Sequence, residues 1–208
     1  MTAQYEKSLG LHKELLQSES IKKHLGEIKN HHKESYEHSV RVGLLCIDLA
    51  YENELSDDEV RLAGESGLLH DLGKSSVSKE ILSKDARLND EEREEVNGHP
   101  RNGFIKMNGE EYDKIRRICI AHHEYKKGKY PRSGNDRRKK VREESVDRRN
   151  GNNGLSKIIQ IVAIADMFDA LTSRRAYKKA FPKSEVEKII REQFTGDEKF
   201  IKQVMKRI

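Results

Sequence analysis

His70-Asp71-Leu72-Gly73-Lys74 closes an apolar run, Gly67-Leu68-Leu69, with an imidazole and a carboxylate side by side. A glycine then breaks the helix and a lysine follows at once. A neutral nitrogen and an anionic oxygen are two types of metal ligand. An adjacent His-Asp pair is common by chance, so the weight falls on partners at a distance. These are Glu34 and His38, His99, His122-His123 and Asp166, each on or beside a predicted helix.

Upstream of this stretch, Ser56-Asp57-Asp58-Glu59 reads as a capping box that opens the helix ending in His70-Asp71. Ala63, Gly64 and Gly67 permit close helix approach, Leu62, Leu68, Leu69 and Leu72 supply core contacts, and Gly73 is expected at the C′ position. Residues 33–52 carry Tyr36, Val40, Leu44, Ile47 and Ala50 or Tyr51 at a period near 3.6. Glu34 and His38 are four apart and therefore share one face. Alone they read as a surface Glu–His pair. Residues 5–29 place Leu9, Leu15, Leu16, Ile21, Leu25 and Ile28 at helical spacing, in one or two amphipathic helices. His12, His24, His31 and His32 read as solvated surface histidines.

Downstream, Val77–Leu82 is a short helical or turn segment, and Asn89-Asp90-Glu91-Glu92 caps a helix running toward His99-Pro100. The proline predicts a kink or break just after the histidine. Glu111–His123 is the next helix, with Ile115, Ile118, Cys119 and Ala121 as its apolar stripe. Residues 126–154 lose apolar character and read as a long basic loop. Leu155–Leu171 restores a strongly apolar helix, with Asp166 and Asp169 toward its end. A carboxylate in such a run is desolvated and needs a partner. Ser184–Phe194 and Asp197–Ile208 are two more helices, each opening on Ser/Thr-x-x-Glu. With no strand alternation and no repeats, the chain is all-α.

The 208 residues suffice for one domain with a real core. Charged residues make up 37% and the mean hydropathy is −0.91, so most helices must be two-faced. No apolar run approaches the ~18 residues of a membrane span. The start, Met-Thr-Ala-Gln-Tyr-Glu-Lys, lacks an apolar signal core, so a cytoplasmic location is expected. Cys46 and Cys119 sit in apolar runs without a CxxC pair and read as reduced core thiols. The net charge of +5 is concentrated: residues 126–149 hold eleven Lys/Arg against four Asp/Glu, a local +7, and the remainder sums to −2. That segment is either a solvated insertion or a grip for nucleic acid or another acidic partner. The oligomeric state is left open.

Taken together, these residues resemble the HD superfamily of metal-dependent phosphohydrolases, and within it the HD-GYP phosphodiesterases. The pieces that carry the resemblance are Glu34-x-x-x-His38-Ser39-x-Arg41-Val42, Leu69-His70-Asp71-Leu72-Gly73-Lys74, His99-Pro100, Ala121-His122-His123-Glu124, and the run from Ala165-Asp166-Met167-Phe168-Asp169 to Arg174-Arg175-Ala176-Tyr177. Five motifs in the right order over about residues 30–180 make it specific. The resemblance implies a helical HD bundle with a buried bi- or trinuclear metal site. Residues 1–29 would be an N-terminal helical extension, 30–182 the catalytic domain with a basic insertion at about 132–154, and 183–208 C-terminal helices.

The resemblance further implies that His38, His70, Asp71 and Asp166 surround one metal, that Asp71 bridges to a second held by His99, His122 and His123, and that Glu34 supports a third. Lys74 and Arg175 match the family's phosphate-contacting cations, and Asp169 a second-shell or active-site carboxylate near that lysine. Lys74 also reads simply as a solvated helix-end lysine, and Arg175 as part of a charged run. Imidazoles and carboxylates without thiolates fit Fe or Mn, and also admit Zn, Co or Ni. Two such cations about 3.5–4 Å apart polarise a phosphoryl oxygen and lower the pKa of a water between them, so no Ser or Cys nucleophile is needed.

One departure stands out. The family's loop His-His-Glu-x-x-Asp-Gly-x-Gly-Tyr-Pro is here His122-His123-Glu124-Tyr125-Lys126-Lys127-Gly128-Lys129-Tyr130-Pro131. It is one residue shorter, lacks the aspartate, and has lysine for the second glycine. The implied activity is hydrolysis of a cyclic dinucleotide, cyclic di-GMP foremost. The alternatives are a phosphohydrolase for nucleotides or single-stranded nucleic acid, and a weakly catalytic sensing or interaction module.

Overall fold

The computed structural model of the chain describes residues 3–127, 154–173 and 181–208. Among these residues the regular elements are all helical, and the one β-type pairing is an isolated bridge between Lys126 and Phe194. The basic segment from residue 128 onward and Arg174, Arg175 and Tyr177 lie outside the described residues.

The 5–29 pattern resolves into two helices, α1 (Ala3–Gln17) and α2 (Glu19–His31). Both pack on α3 (Lys33–Glu52) and α4 (Asp57–Leu69). Here the expectation of solvated histidines is corrected. His12 and His24 are buried, and His12 Nε2 meets the Val40 carbonyl at 2.9 Å. His31 Nε2 meets the Val77 carbonyl at 2.7 Å, and His32 caps α3 by accepting from the Ser35 backbone N–H. An imidazole with a backbone partner tolerates burial, so His12 and His31 serve the packing of the N-terminal helices.

The predicted capping box at Ser56 and Glu59 starts α4, with both reciprocal hydrogen bonds present. α4 lies close against α3: a Cβ on Gly67 would sit 2.8 Å from Cys46 Sγ. Both cysteines are free and buried, as expected of core thiols. α4 ends at Leu69, so His70 and Asp71 occupy the turn that leads into a 3-10 helix, Leu72–Ser76. Gly73 is not a left-handed C′ residue. It is needed for close approach, because a Cβ there would lie 1.9 Å from the His99 carbonyl oxygen.

Next come α5 (Lys79–Leu82) and α6 (Asp90–Asn97), the latter opened by a capping box of Asn89 and Glu92. α7 (His99–Lys106) begins at the histidine. The chain therefore breaks before His99, at Gly98, and not after it. Pro100 falls in the first turn of α7, where its missing N–H costs nothing. After a 3-10 turn at Glu110–Tyr112 comes α8 (Asp113–Ala121), leaving His122 and His123 in the turn beyond it.

α9 (Gly154–Thr172) is the helix around which the rest assembles. Its run Ile158, Ile159, Ile161, Val162, Ala163, Ile164 is buried, as a helix apolar on most sides must be. It packs against α3, α4, α8, α10 (Lys183–Gln193) and α11 (Glu198–Met205). α11 is capped by Asp197, whose side chain accepts from Lys199 N–H. Thr195 does not cap it, because the helix begins at Glu198 and the N-cap position falls to Asp197. No helix among the described residues is long and apolar enough to cross a membrane.

Candidate metal centre

Three helices and the turns after two others deliver the site. His38 comes from α3, His70 and Asp71 from the turn after α4, His99 from the start of α7, His122 and His123 from the turn after α8, and Asp166 from α9. They gather into three overlapping groups: His38, His70 and Asp71; His70, His122 and Asp166; and His99, His122 and His123. Within each group the ligand-type atoms lie within 4.8 Å of one another. His70 and His122 each belong to two groups, which fuses the three into one cluster. The carboxylate of Asp71 faces both halves: Oδ1 lies 3.2 Å from His99 Nε2, and Oδ2 lies 3.4 Å from His70 Nε2 and 3.7 Å from His38 Nε2.

The ring orientations are set from behind. Nδ1 of His70, His99 and His122 is held by the carbonyl three residues earlier, those of Gly67, Val96 and Cys119. Each Nε2 is thereby turned into the cluster, as in metal-ligating imidazoles whose other nitrogen is fixed by an outer partner. His70 Nε2 and His122 Nε2 are buried and, among the described residues, have no hydrogen-bond partner. Buried polar atoms are rarely left so. Two orphaned nitrogens converging on two carboxylates fit a divalent transition-metal ion.

Electrostatics agree with that donor set. Burial holds the His99 imidazole down at about 3 and that of His123 at about 4. Burial, reinforced by the neighbouring imidazoles, holds His122 well below its ordinary value. These rings are therefore neutral, the form that ligates. Burial opposes ionisation of Asp71 and Asp166. Lys74 foremost, with His70, outweighs it at Asp71, and His38 and His70 do so at Asp166, so both carboxyls stay well below the usual range.

The remaining expected residues are placed as follows. Asp169 lies behind His38, accepting from its Nδ1 at 2.7 Å, from Arg41 Nε and Nη2 at 2.7 and 3.0 Å, and from Ser173 Oγ at 2.9 Å. Lys74 does not pair with it; its ammonium is 2.5 Å from Asp71 Oδ2. Glu34 falls outside the three groups. It lines a cleft of about 520 Å³ together with His38, Arg41 and Lys74. A second cleft, of about 230 Å³, contains Asp71, His99, His123 and Asp166. Lys74 and Val96 line both, so the clefts meet at the lysine. Arg41 is the residue to which sequence reasoning gave no role. Its spacing of three from His38 was the available signal, since it puts both on one helix face.

A family model described as the HD domain matches residues 35–171, and the chain belongs to that family. It is 35% identical over 164 residues to a cyclic di-GMP phosphodiesterase of Pseudomonas aeruginosa, a match covering 77% of this chain and 36% of that protein. A cyclic di-GMP phosphodiesterase of Thermotoga maritima is 34% identical over 155 residues, 73% of this chain and 38% of that one. A 3'3'-cGAMP-specific phosphodiesterase of Vibrio cholerae is 31% identical over 147 residues, 70% and 28% respectively. The chain thus matches only about a third of the length of these relatives. The HD domain of the L. monocytogenes phosphodiesterase PgpH, solved with cyclic-di-AMP, shares the fold. The TM-score is 0.55 at 16% identity, over 88% of this chain and 92% of that chain.

Proposed function

We propose that this chain is a metal-dependent phosphodiesterase that hydrolyses a cyclic dinucleotide, cyclic di-GMP foremost. The observation that carries the reading is the pair of orphaned nitrogens, His70 Nε2 and His122 Nε2, buried beside Asp71 and Asp166. A binding module for an anionic dinucleotide has no use for two ionised carboxylates at the centre of its site.

In this reading His38, His70, Asp71 and Asp166 hold one ion, and His99, His122 and His123 hold another, with Asp71 shared. Glu34 offers its carboxylate for a third on the wider cleft. Fe or Mn suits the nitrogen and oxygen donors. Bound ions of this kind polarise a phosphoryl oxygen and make water a nucleophile at neutral pH. Lys74 stands where the clefts meet and donates to the phosphoryl oxygens, which carry more charge in the transition state than before it. Arg175 is a second cation for the same oxygens. Asp169 acts through His38: it keeps the Nδ1 proton in place so that Nε2 presents a lone pair. Water adds across one P–O bond and the ring opens to a linear dinucleotide.

The test is elemental analysis of the purified chain together with a hydrolysis screen after anaerobic loading with Fe or Mn. The expected result is about two or three ions per chain and conversion of cyclic di-GMP to its linear form. No metal after loading, or turnover of no cyclic dinucleotide, overturns the proposal.

A further inference from the structure

The narrower cleft has a wall that the family match does not include. α10 lies beyond residues 35–171, yet its Ile189 and Gln193 line this cleft. With Met167, Ala170 and Leu171 of α9, Ile189 makes one side apolar. Gln193 sets a single amide on that side, and among the described residues its side chain has no hydrogen-bond partner. Its backbone carbonyl, by contrast, accepts from Lys127 N–H at 2.6 Å, and the Tyr125 carbonyl accepts from Thr195 N–H at 2.8 Å. The end of α10 is thereby stitched to the segment that follows His122-His123-Glu124, and Lys126 of that segment lines the same cleft. An apolar wall that carries the Gln193 amide, in a cleft also lined by Asn97, Lys74 and Lys126 and opening on the His/Asp cluster, has the makeup of a site for a flat heteroaromatic group on an anionic backbone. Small-molecule sites are of this kind, mostly apolar with a few placed polar groups.

We infer that α10 builds a purine subsite. Ile189 packs on the face of one base of the cyclic dinucleotide, Gln193 hydrogen-bonds its edge, and Lys126 offers its charge to the adjoining phosphate. The inference rests on the phosphodiesterase reading and adds where its substrate selectivity resides: in C-terminal helices outside the HD segment proper.

The experiment compares Ile189→Trp, which fills the slot, Ile189→Ala, which empties it, and Gln193→Ala in the full, metal-loaded chain. Steady-state kinetics are read with cyclic di-GMP and with methyl p-nitrophenyl phosphate, a phosphodiester that has no base. The expected result is a KM for cyclic di-GMP raised about 10-fold or more, with kcat changed far less and metal content and melting temperature kept. The ratio of kcat/KM for cyclic di-GMP over the base-free ester falls by the same factor. If KM is unchanged in all three variants, or if both substrates lose equally, α10 is only a structural wall and the inference is wrong. If the wild-type chain cleaves the base-free ester but no cyclic dinucleotide, the substrate reading itself fails and takes the subsite with it.

Discussion

Replacing Asp169 by Asn tests whether this carboxylate positions a metal ligand or merely fills space. Its two oxygens accept four hydrogen bonds, one from His38, two from Arg41 and one from Ser173. Burial opposes its charge, but His38 and Arg41 outweigh it and hold the carboxyl at about 2. Asparagine keeps the shape and supplies only one acceptor oxygen, so its amide –NH2 confronts the guanidinium in either orientation, and the imidazole N–H as well when it takes the Oδ2 position. A hydrogen bond to a charged group contributes about 1.5–3 kcal/mol. Stranding a buried charge would cost about 3–5 kcal/mol. The Arg41 side chain is 45% exposed and turns to water when released, so the lower figure applies. The expected destabilisation is about 2 kcal/mol, or roughly 4–8 °C in Tm for a chain of this size. The effect on the metal is separate. Losing the outer partner of a ligating imidazole costs about 10–100-fold in affinity, and it falls on the ion held by His38. An ion held by His99, His122 and His123, which are not His38, should stay bound. Elemental analysis after dialysis against graded chelator, with thermal melts in parallel, reads both effects. An Asp169→Asn chain that holds every ion as tightly as wild type refutes the positioning role, whatever its Tm.

Asp71→Ala removes the carboxylate that faces both halves of the cluster, so metal should fall at both and turnover should vanish; His31→Ala, which breaks only a bond to the Val77 carbonyl, should keep its metal. Equal metal loss in the two variants would show that the histidines are mis-sorted. Lys74→Ala should retain metal while turnover falls about 100-fold; loss of metal instead would make its ion pair with Asp71 a structural one. Glu34→Ala should release one ion and leave the rest, and unchanged stoichiometry would leave Glu34 as a wall of the wider cleft. Burial holds His12 below its ordinary value. The unfolded chain therefore takes up a proton that the folded chain refuses as pH falls through about 6.5, and stability drops by up to about 1.4 kcal/mol per pH unit below it. Denaturant titrations at pH 7.5 and 5.5 should show a smaller drop for His12→Gln than for wild type, and an equal drop rules His12 out as an acid-sensitive group.

Legibility in the sequence followed the range of the interaction. Helix starts at Ser56 and Asn89 were readable because a capping box is closed within four residues. The seven residues that the fold gathers into the His/Asp cluster could be singled out because each stands in a short motif of its own in the sequence. What escaped was decided by distant backbone. His12 and His31 looked solvated because their carbonyl partners, Val40 and Val77, lie 28 and 46 residues away. Asp169 was expected near Lys74, yet it serves His38 and Arg41, which come 131 and 128 residues earlier. The stitching of α10 to Tyr125 and Lys127 is a backbone pairing with no alternation to announce it.

Gly73 shows how the two ranges combine. Read locally, it is a helix stop after a His-Asp pair. In the fold it lets the 3-10 turn press on the first turn of α7, so tightly that a Cβ would lie 1.9 Å from the His99 carbonyl and 2.4 Å from Gly103 N. That carbonyl belongs to the residue whose Nε2 lies 3.2 Å from Asp71 Oδ1. Asp71, whose side chain faces both halves of the cluster, stands two residues before this side-chain-free contact. The glycine that reads as a helix breaker thus sets how closely the turn after Asp71 approaches the start of α7 at His99, a main-chain contact that neither of those side chains makes.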